Sequence, residues 1–143
     1  MRFEFIEGVT LADAAVKSYG KTLSELFENS ALGLFSLMTG NTEDFNRHLS
    51  VEIELDNSDV EMLLYDFLNE FLFYRDAHSL LLFPETVNVK KKGDIWILSA
   101  VMGSEKMEAR EAPLETDVKA VTLHKFSITG RPGEYESLVV YDL

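Results

Sequence analysis

A helical spacing of apolar side chains over residues 23–38 limits the possible folds of this chain more than any other feature of its sequence. The apolar positions recur every three or four residues, which places them on one face of an α-helix. Residues 22–25 form a capping box, in which the Thr22 hydroxyl accepts from the Glu25 amide and the Glu25 carboxylate reaches back. Gly40 is a typical helix end. The predicted inward positions are Leu23, Leu26, Phe27, Ala31, Leu34, Phe35 and Met38.

A second helix is predicted after residues 58–61, whose sequence Ser-Asp-Val-Glu is another capping box. Apolar residues again follow at helical spacing, and the helix is expected to end near Arg75 and Asp76. Two helices that each have one apolar face need a further layer to cover that face. The predicted inward positions are Val60, Leu63, Leu64, Phe67, Leu68, Phe71 and Leu72.

Most of the remaining chain has the apolar and polar alternation of half-buried strands. A loop at residues 129–133 is predicted to join the last two strands as a hairpin. Residues 103–114 are polar and irregular, and Pro113 disfavours a central strand there. We therefore predict an α+β fold, a two-layer sandwich with two amphipathic helices packed on a mixed β-sheet of about seven to eight strands, in a single domain over residues 1–143. The predicted strands are residues 2–7, 12–19, 49–55, 80–83, 85–90, 94–102, 118–128 and 135–141.

Charge and composition exclude several classes of function. The net charge of −12 argues against a protein that holds nucleic acid by broad phosphate neutralisation. The lysines at residues 90–92 are typical of a solvated hairpin turn. The chain has no cysteine, which excludes disulfides, thiolate zinc sites and cysteine nucleophiles and fits a cytoplasmic protein. No apolar run is long enough to span a bilayer, and residues 1–7 lack the core of a signal peptide, so no membrane association is expected.

Catalytic sequence templates are also missing. There is no glycine-rich phosphate loop, no His-Glu-x-x-His helix and no nucleophile elbow. His48 and His78 lie in polar boundary segments and are expected at the surface. His124 follows an apolar strand, where it is either a hydrogen-bonded structural histidine or a ligand.

Two aspartates, Asp13 and Asp142, lie in otherwise apolar strand-like runs at opposite ends of the chain. A charge among apolar neighbours is unfavourable unless it is paired, hydrogen-bonded or bound to a metal. A hard cation with oxygen ligands, calcium above all, would satisfy both carboxylates, and the terminal carboxylate of Leu143 could join them. The alternative is that Asp13 caps a bend and Asp142 marks a frayed strand end.

Lys119 is the third charged residue in such a run, because Ala120-Val121-Thr122-Leu123 follows it. Its side chain could extend to solvent from a sheet edge, or pair with Glu115 or Asp117. It could also be a counter-charge in the same pocket as the two aspartates. Periodicity does not choose between these arrangements.

The segment that contains this lysine, residues 117–124 with the sequence Asp-Val-Lys-Ala-Val-Thr-Leu-His, resembles the Glu-Val-Lys-Ala-Val-Thr-Tyr-His signature of the archease family. Residues 20–29 and 34–39 are similar to the start and end of that family's first helix. Residues 63–73 resemble its second helix, and residues 140–143 its terminal strand. The similarity follows the family's order over nearly the whole chain.

The resemblance implies an accessory protein and not an enzyme. The archease family activates RtcB-type RNA ligases, which join tRNA halves during splicing, by promoting guanylylation of the ligase histidine and multiple turnover. By this resemblance Asp13, Lys119 and Asp142 match residues for ligase activation, and Asp13, Asp142 and Leu143 a calcium-type metal site, although another divalent cation is possible. The partner is then the ligase, and tRNA is contacted only indirectly through it.

The sequence departs from the family pattern at two places. The early His-Thr-Ala-Asp motif ends at Asp13, but Val9-Thr10-Leu11 stands where its histidine is expected. Arg110 stands where a histidine usually precedes the lysine motif, so Arg110 and His124 are predicted as possible pocket-lining residues. Two other functions stay open: a calcium-binding chaperone or adaptor without ligase specificity, and a metal-dependent hydrolase in which His124 is the candidate base.

Overall fold

A computed structural model describes residues 1–6, 12–43 and 45–143 of the chain. The predicted α+β class is confirmed, with two long helices and eight strands in the described part. In chain order the elements are β1 (Phe3–Ile6), β2 (Asp13–Gly20), α1 (Leu23–Thr39), β3 (Leu49–Asn57), α2 (Val60–His78), β4 (Leu80–Lys92), β5 (Ile95–Lys106), a short 3-10 turn (Met107–Ala109), β6 (Ala120–Val121), β7 (Ser127–Arg131) and β8 (Glu134–Asp142).

The strands form two sheets, and this corrects the prediction of one mixed sheet. In the described residues a five-stranded sheet has the order β1-β2-β8-β6, with β7 also paired to β8, and a three-stranded sheet has the order β3-β5-β4. Each of these pairings is antiparallel. An alternating pattern predicts which face of a strand is buried but not which strand it pairs with, so the number of sheets was not predictable from it.

The core lies where the two helices pack on strands of both sheets. Phe27 of α1 and Phe67 of α2 are fully buried and stack with their ring centroids 6.2 Å apart. Tyr141 of β8 and Met102 of β5 are buried from the sheet side. Burying a large apolar side chain stabilises a fold by roughly 1.5–3 kcal/mol, so these contacts hold helices and sheets together.

The first helix begins and ends as its sequence predicts. The Thr22 hydroxyl accepts from the Glu25 amide at 3.1 Å, and a Glu25 carboxylate oxygen accepts from the Lys21 amide at 3.1 Å. At the other end Gly40 has a φ of +85°, the left-handed conformation that glycine adopts without strain. Local sequence chemistry therefore determines this helix.

The cap of the second helix differs by one residue from the prediction. Asp59, not Ser58, is the N-cap, and its carboxylate accepts from the amides of Glu61 at 2.9 Å and Met62 at 3.4 Å. The Glu61 carboxylate, which a capping box would turn back, instead accepts from the Ile128 amide at 2.8 Å. A long-range hydrogen bond from β7 to Glu61 thus replaces the local bond of the predicted capping box. The helix also continues to His78, beyond its predicted end.

Replacing the two candidate caps separately should give unequal results. We expect Asp59→Ala to lower the free energy of unfolding by about 1 kcal/mol, since it removes the acceptor of two helix amides. Ser58→Ala should change it by less than about 0.5 kcal/mol, as surface substitutions usually do. Urea denaturation of both variants measures the difference. Equal losses would contradict the assignment of Asp59 as the cap.

Three strand boundaries also differ from the prediction. β4 is one strand across Pro84, with a register shift between Pro84 and Thr86, where two strands were predicted. A bulge accommodates a proline that cannot donate to the ladder. β5 continues to Lys106 into the segment predicted as irregular, and β3 continues to Asn57.

Candidate functional site

The two aspartates predicted from opposite ends of the chain are neighbours in the five-stranded sheet. In the antiparallel pair of β2 and β8, Asp13 lies directly opposite Asp142. Directly opposite residues project from the same face of a sheet, with Cβ atoms about 4.5–5.5 Å apart. On the other side of β8, Ala120 of β6 is also paired with Asp142. The ends of three strands therefore meet at this aspartate.

Backbone hydrogen bonds bring Lys119 to the same place. The Lys119 amide donates to the Asp142 carbonyl at 2.8 Å, and the Leu143 amide donates to the Ala12 carbonyl at 2.8 Å. We refer to Asp13, Lys119 and Asp142 as the charged corner. Lys119 and Asp142 are exposed and Asp13 is half-buried. Lys119 comes directly before β6 and Asp142 is the last residue of β8, so both exposed charges lie at strand ends, which is one of the arrangements that the sequence left open.

The charged corner suits a hard cation in its chemistry but supplies few side-chain ligands. Two carboxylates directly opposite each other repel, and a divalent cation between them would relieve that repulsion. Over residues 1–6, 12–43 and 45–143, no group of three or more His, Cys, Asp or Glu side chains is placed to hold a metal. Calcium takes 6–8 oxygen ligands. Asp13 and Asp142 would hold such an ion only together with backbone, water or partner oxygens.

Arg75, near the end of α2, holds the segment that leads into the corner, and sequence analysis did not single it out. Its side chain is only 9% exposed, and its Nη1 donates to the Val118 carbonyl at 2.6 Å. The same side chain pairs with Asp76 at 2.8 Å and lies 3.9 Å from Asp117. The available sequence signal was a basic residue in the last turn of a helix, which indicates only a favourable dipole interaction.

Removing this guanidinium should loosen the segment before Lys119. We expect Arg75→Met to lower the free energy of unfolding by about 1–3 kcal/mol, because the buried Val118 carbonyl loses a charge-assisted bond. Hydrogen exchange at the Lys119 amide should become faster. Asp76→Asn is the matched control, because Asp76 is exposed and exposed pairs contribute little. Equal effects of both substitutions would show that the bond to Val118 is not what holds the segment.

The two predicted pocket-lining residues lie in different surroundings. His124 is exposed in the turn after β6, where its amide donates to the Thr122 hydroxyl at 3.3 Å. The Arg110 side chain is 4% exposed and donates to the Glu105 carboxylate at 2.6 Å. Arg110 and Glu105 line a cavity of about 410 Å³ to which His124 does not contribute. Among the described residues, this cavity is lined by Arg110 and not by His124. The Val9-Thr10-Leu11 segment lies outside the described residues.

The fold and the site together define a small α+β protein in which the charged corner is formed by strand ends. In the described part of the chain, no helix is long and apolar enough to cross a membrane. A family model described as "Archease protein family (MTH1598/TM1083)" matches residues 3–143. The chain belongs to the archease family.

Individual relatives agree with this assignment. Protein archease of Methanothermobacter thermautotrophicus is 35% identical over 142 residues, which cover 99% of this chain and 98% of the relative. Protein archease of Pyrococcus furiosus is 32% identical over 133 residues, 92% of this chain and 93% of the relative.

Two solved structures have a similar fold. The solution structure of Methanobacterium thermoautotrophicum protein 1598 matches with a TM-score of 0.81 and 34% identity, over 99% of this chain and 98% of the other. The crystal structure of an archease described as a possible chaperone, from Thermotoga maritima, matches with a TM-score of 0.60 and 17% identity over 98% of both chains. The second similarity supports the fold alone.

Proposed function

We propose that this protein activates an RtcB-type RNA ligase in tRNA splicing, by promoting guanylylation of the ligase and its multiple turnover. Membership of the archease family supports the proposal. The observation that carries it is the pairing of Asp13 with Asp142, together with the bond from Lys119 to Asp142. Three residues that match the family's activating residues thereby meet at one corner of the sheet, where Lys119 and Asp142 are exposed.

The action of such a protein is a shift in the partner's conformational equilibrium. An activator must bind the guanylylation-competent state of the ligase more tightly than its other states, because only differential affinity changes their populations. In this proposal the exposed Lys119 ammonium pairs with an acidic or phosphate group of the ligase complex, and the two carboxylates face a cation or a basic side chain. The protein itself makes and breaks no covalent bond. Its net charge of −12 favours contact with RNA through the ligase.

Single-turnover guanylylation of the cognate ligase by GTP tests the proposal. The expected result is a faster reaction with the protein than without it, and continued ligation when RNA substrate exceeds ligase. No acceleration by a folded protein that binds many unfolded clients would support the chaperone or adaptor function instead. Metal-dependent turnover without any ligase would support a hydrolase.

Calcium is the cation that we propose for the corner. Calcium titration by calorimetry should show one site, with affinity lowered about tenfold or more in Asp142→Asn, since affinity for this ion depends on the number of charged ligands. Asp94→Asn, in the turn between β4 and β5, makes the same charge change away from the corner and should leave affinity unchanged. Binding that is the same in both variants would exclude Asp142 as a ligand.

A further inference from the structure

A turn at residues 122–126 interrupts the strand that borders β8 next to the charged corner, where one continuous strand over residues 118–128 was predicted. β6 and β7 both pair with the same side of β8, but between them five residues of this chain segment stand opposite two of β8. Lys125, within this β6–β7 turn, has a φ of +54°. Residues other than glycine rarely adopt that conformation, and it persists only where surrounding contacts impose it.

Side chains hold the β6–β7 turn at both ends. The Thr122 hydroxyl donates to the Val140 carbonyl at 2.8 Å and accepts from the His124 amide. At the other end the Phe126 ring makes an edge-to-face contact with Tyr65 of α2, at a centroid distance of 5.8 Å. The Phe126 amide also donates to the Leu123 carbonyl at 3.2 Å, which closes the turn. The protein therefore presents this turn in a defined shape.

What the turn presents is an apolar side chain beside basic ones. Leu123 is 55% exposed, and His124 and Lys125 are exposed next to it. Only the two residues of β6 and Thr122 separate this leucine from Lys119 of the charged corner. Lys125 places a positive charge beside this leucine, in a chain with a net charge of −12.

We propose that the β6–β7 turn is the element that docks on the ligase, with Leu123 entering an apolar pocket and Lys125 facing acidic groups at the rim of that pocket. This inference rests on the proposed function and assigns separate roles, docking and activation, to the turn and to the charged corner. The turn supplies affinity, because a pre-shaped turn loses little conformational entropy on binding. The charged corner, a few residues away, changes the state of the ligase that is bound.

Titration of the ligase with each protein variant separates these two roles. Guanylylation rate is measured against activator concentration, which gives a half-activating concentration and a maximal rate. Leu123→Ser should raise the half-activating concentration about tenfold, which is ~1.4 kcal/mol of binding free energy, because the exposed half of the leucine side chain is no longer buried on binding. The maximal rate should stay at the wild-type value. Leu49→Ser is the matched control, because Leu49 is 57% exposed on β3 of the other sheet.

Each result has a distinct meaning. An unchanged half-activating concentration for Leu123→Ser, with normal activation by wild type, would overturn the docking role and leave the proposed function standing. An equal rise for the Leu123 and Leu49 variants would also overturn it, because the effect would then follow exposed leucine in general. A lower maximal rate at saturation would assign Leu123 to activation and contradict the separation of docking from activation. No activation by wild type would remove the proposed function and this inference with it.

Discussion

Asp142→Asn is expected to abolish most of the acceleration of ligase guanylylation while leaving the protein folded. We expect the rate at saturating activator to fall by a factor of about 30 or more, because in the proposal this carboxylate pairs only with the guanylylation-competent ligase, and losing one member of a desolvated charge pair costs about 2–5 kcal/mol. The Asp142 carbonyl still accepts from Lys119, since the substitution leaves the backbone bonds of the corner intact. Single-turnover guanylylation measures the loss, and circular dichroism establishes that the variant is folded.

For Asp142→Asn, the free energy of unfolding should rise while activation of the ligase falls. Asp13 and Asp142 are directly opposite in the sheet, and like charges in that position destabilise it. Removing one charge should therefore raise the free energy of unfolding by a few tenths of a kcal/mol, up to about 1 kcal/mol. Asp94→Asn is again the control, with neither change expected. A folded Asp142→Asn protein that activates like wild type would exclude this carboxylate from the activating site.

The largest expected effect on stability comes from Arg110. Its guanidinium and the Glu105 carboxylate are both almost fully buried, with side chains 4% and 6% exposed, and they lie 2.6 Å apart. The Asn46 amide also donates to this carboxylate at 3.2 Å. Arg110→Met should lower the free energy of unfolding by about 3–5 kcal/mol, because it leaves the buried Glu105 charge without its main partner.

Replacing Glu105 together with Arg110 tests whether this loss of stability comes from a buried Glu105 charge without its partner. Glu105→Leu with Arg110→Met removes both charges, and an apolar pair of similar volume is often as stable as a buried ion pair. We expect the double variant to recover most of the stability that Arg110→Met loses, as measured by urea denaturation. A double variant as unstable as the single one would show that the unpaired Glu105 charge is not the cause of the loss. The folded double variant should still activate the ligase, because Arg110 lines a cavity to which none of the three residues of the charged corner contributes.

Much of the fold was predictable because its determinants are local. The first helix depends on Thr22, Glu25 and Gly40, which all act within a few residues of the helix ends. The hairpin of β7 and β8 was predicted, although residues 129–131 of the predicted loop are part of β7, and its turn at Gly133 has the positive φ that glycine permits. The cap at Asp59 was missed because Glu61, expected to bond locally, has a partner 67 residues away in the sequence.

The candidate site was predictable only as separate residues. Asp13, Lys119 and Asp142 stand out because each lies in an apolar run, and the family resemblance assigns them a common role. Nothing in the alternation of apolar and polar residues places Asp13 opposite Asp142, since a shift of pairing by two residues preserves the same pattern. The anchoring role of Arg75 was likewise invisible, because its acceptor is a backbone carbonyl and carries no side-chain signal.

By itself the sequence determined the helices, their apolar faces and the α+β class, because spacing and capping act over one or two helical turns. It also excluded cysteine chemistry and made broad binding to nucleic acid unfavourable through net charge. Only the tertiary structure decided that the strands form two antiparallel sheets, that three charges share one corner of the larger sheet and that the β6–β7 turn lies beside it. The physical reason is that strand register and long-range hydrogen bonds depend on the free energy of the whole packed core, in which distant segments compete for the same backbone partners.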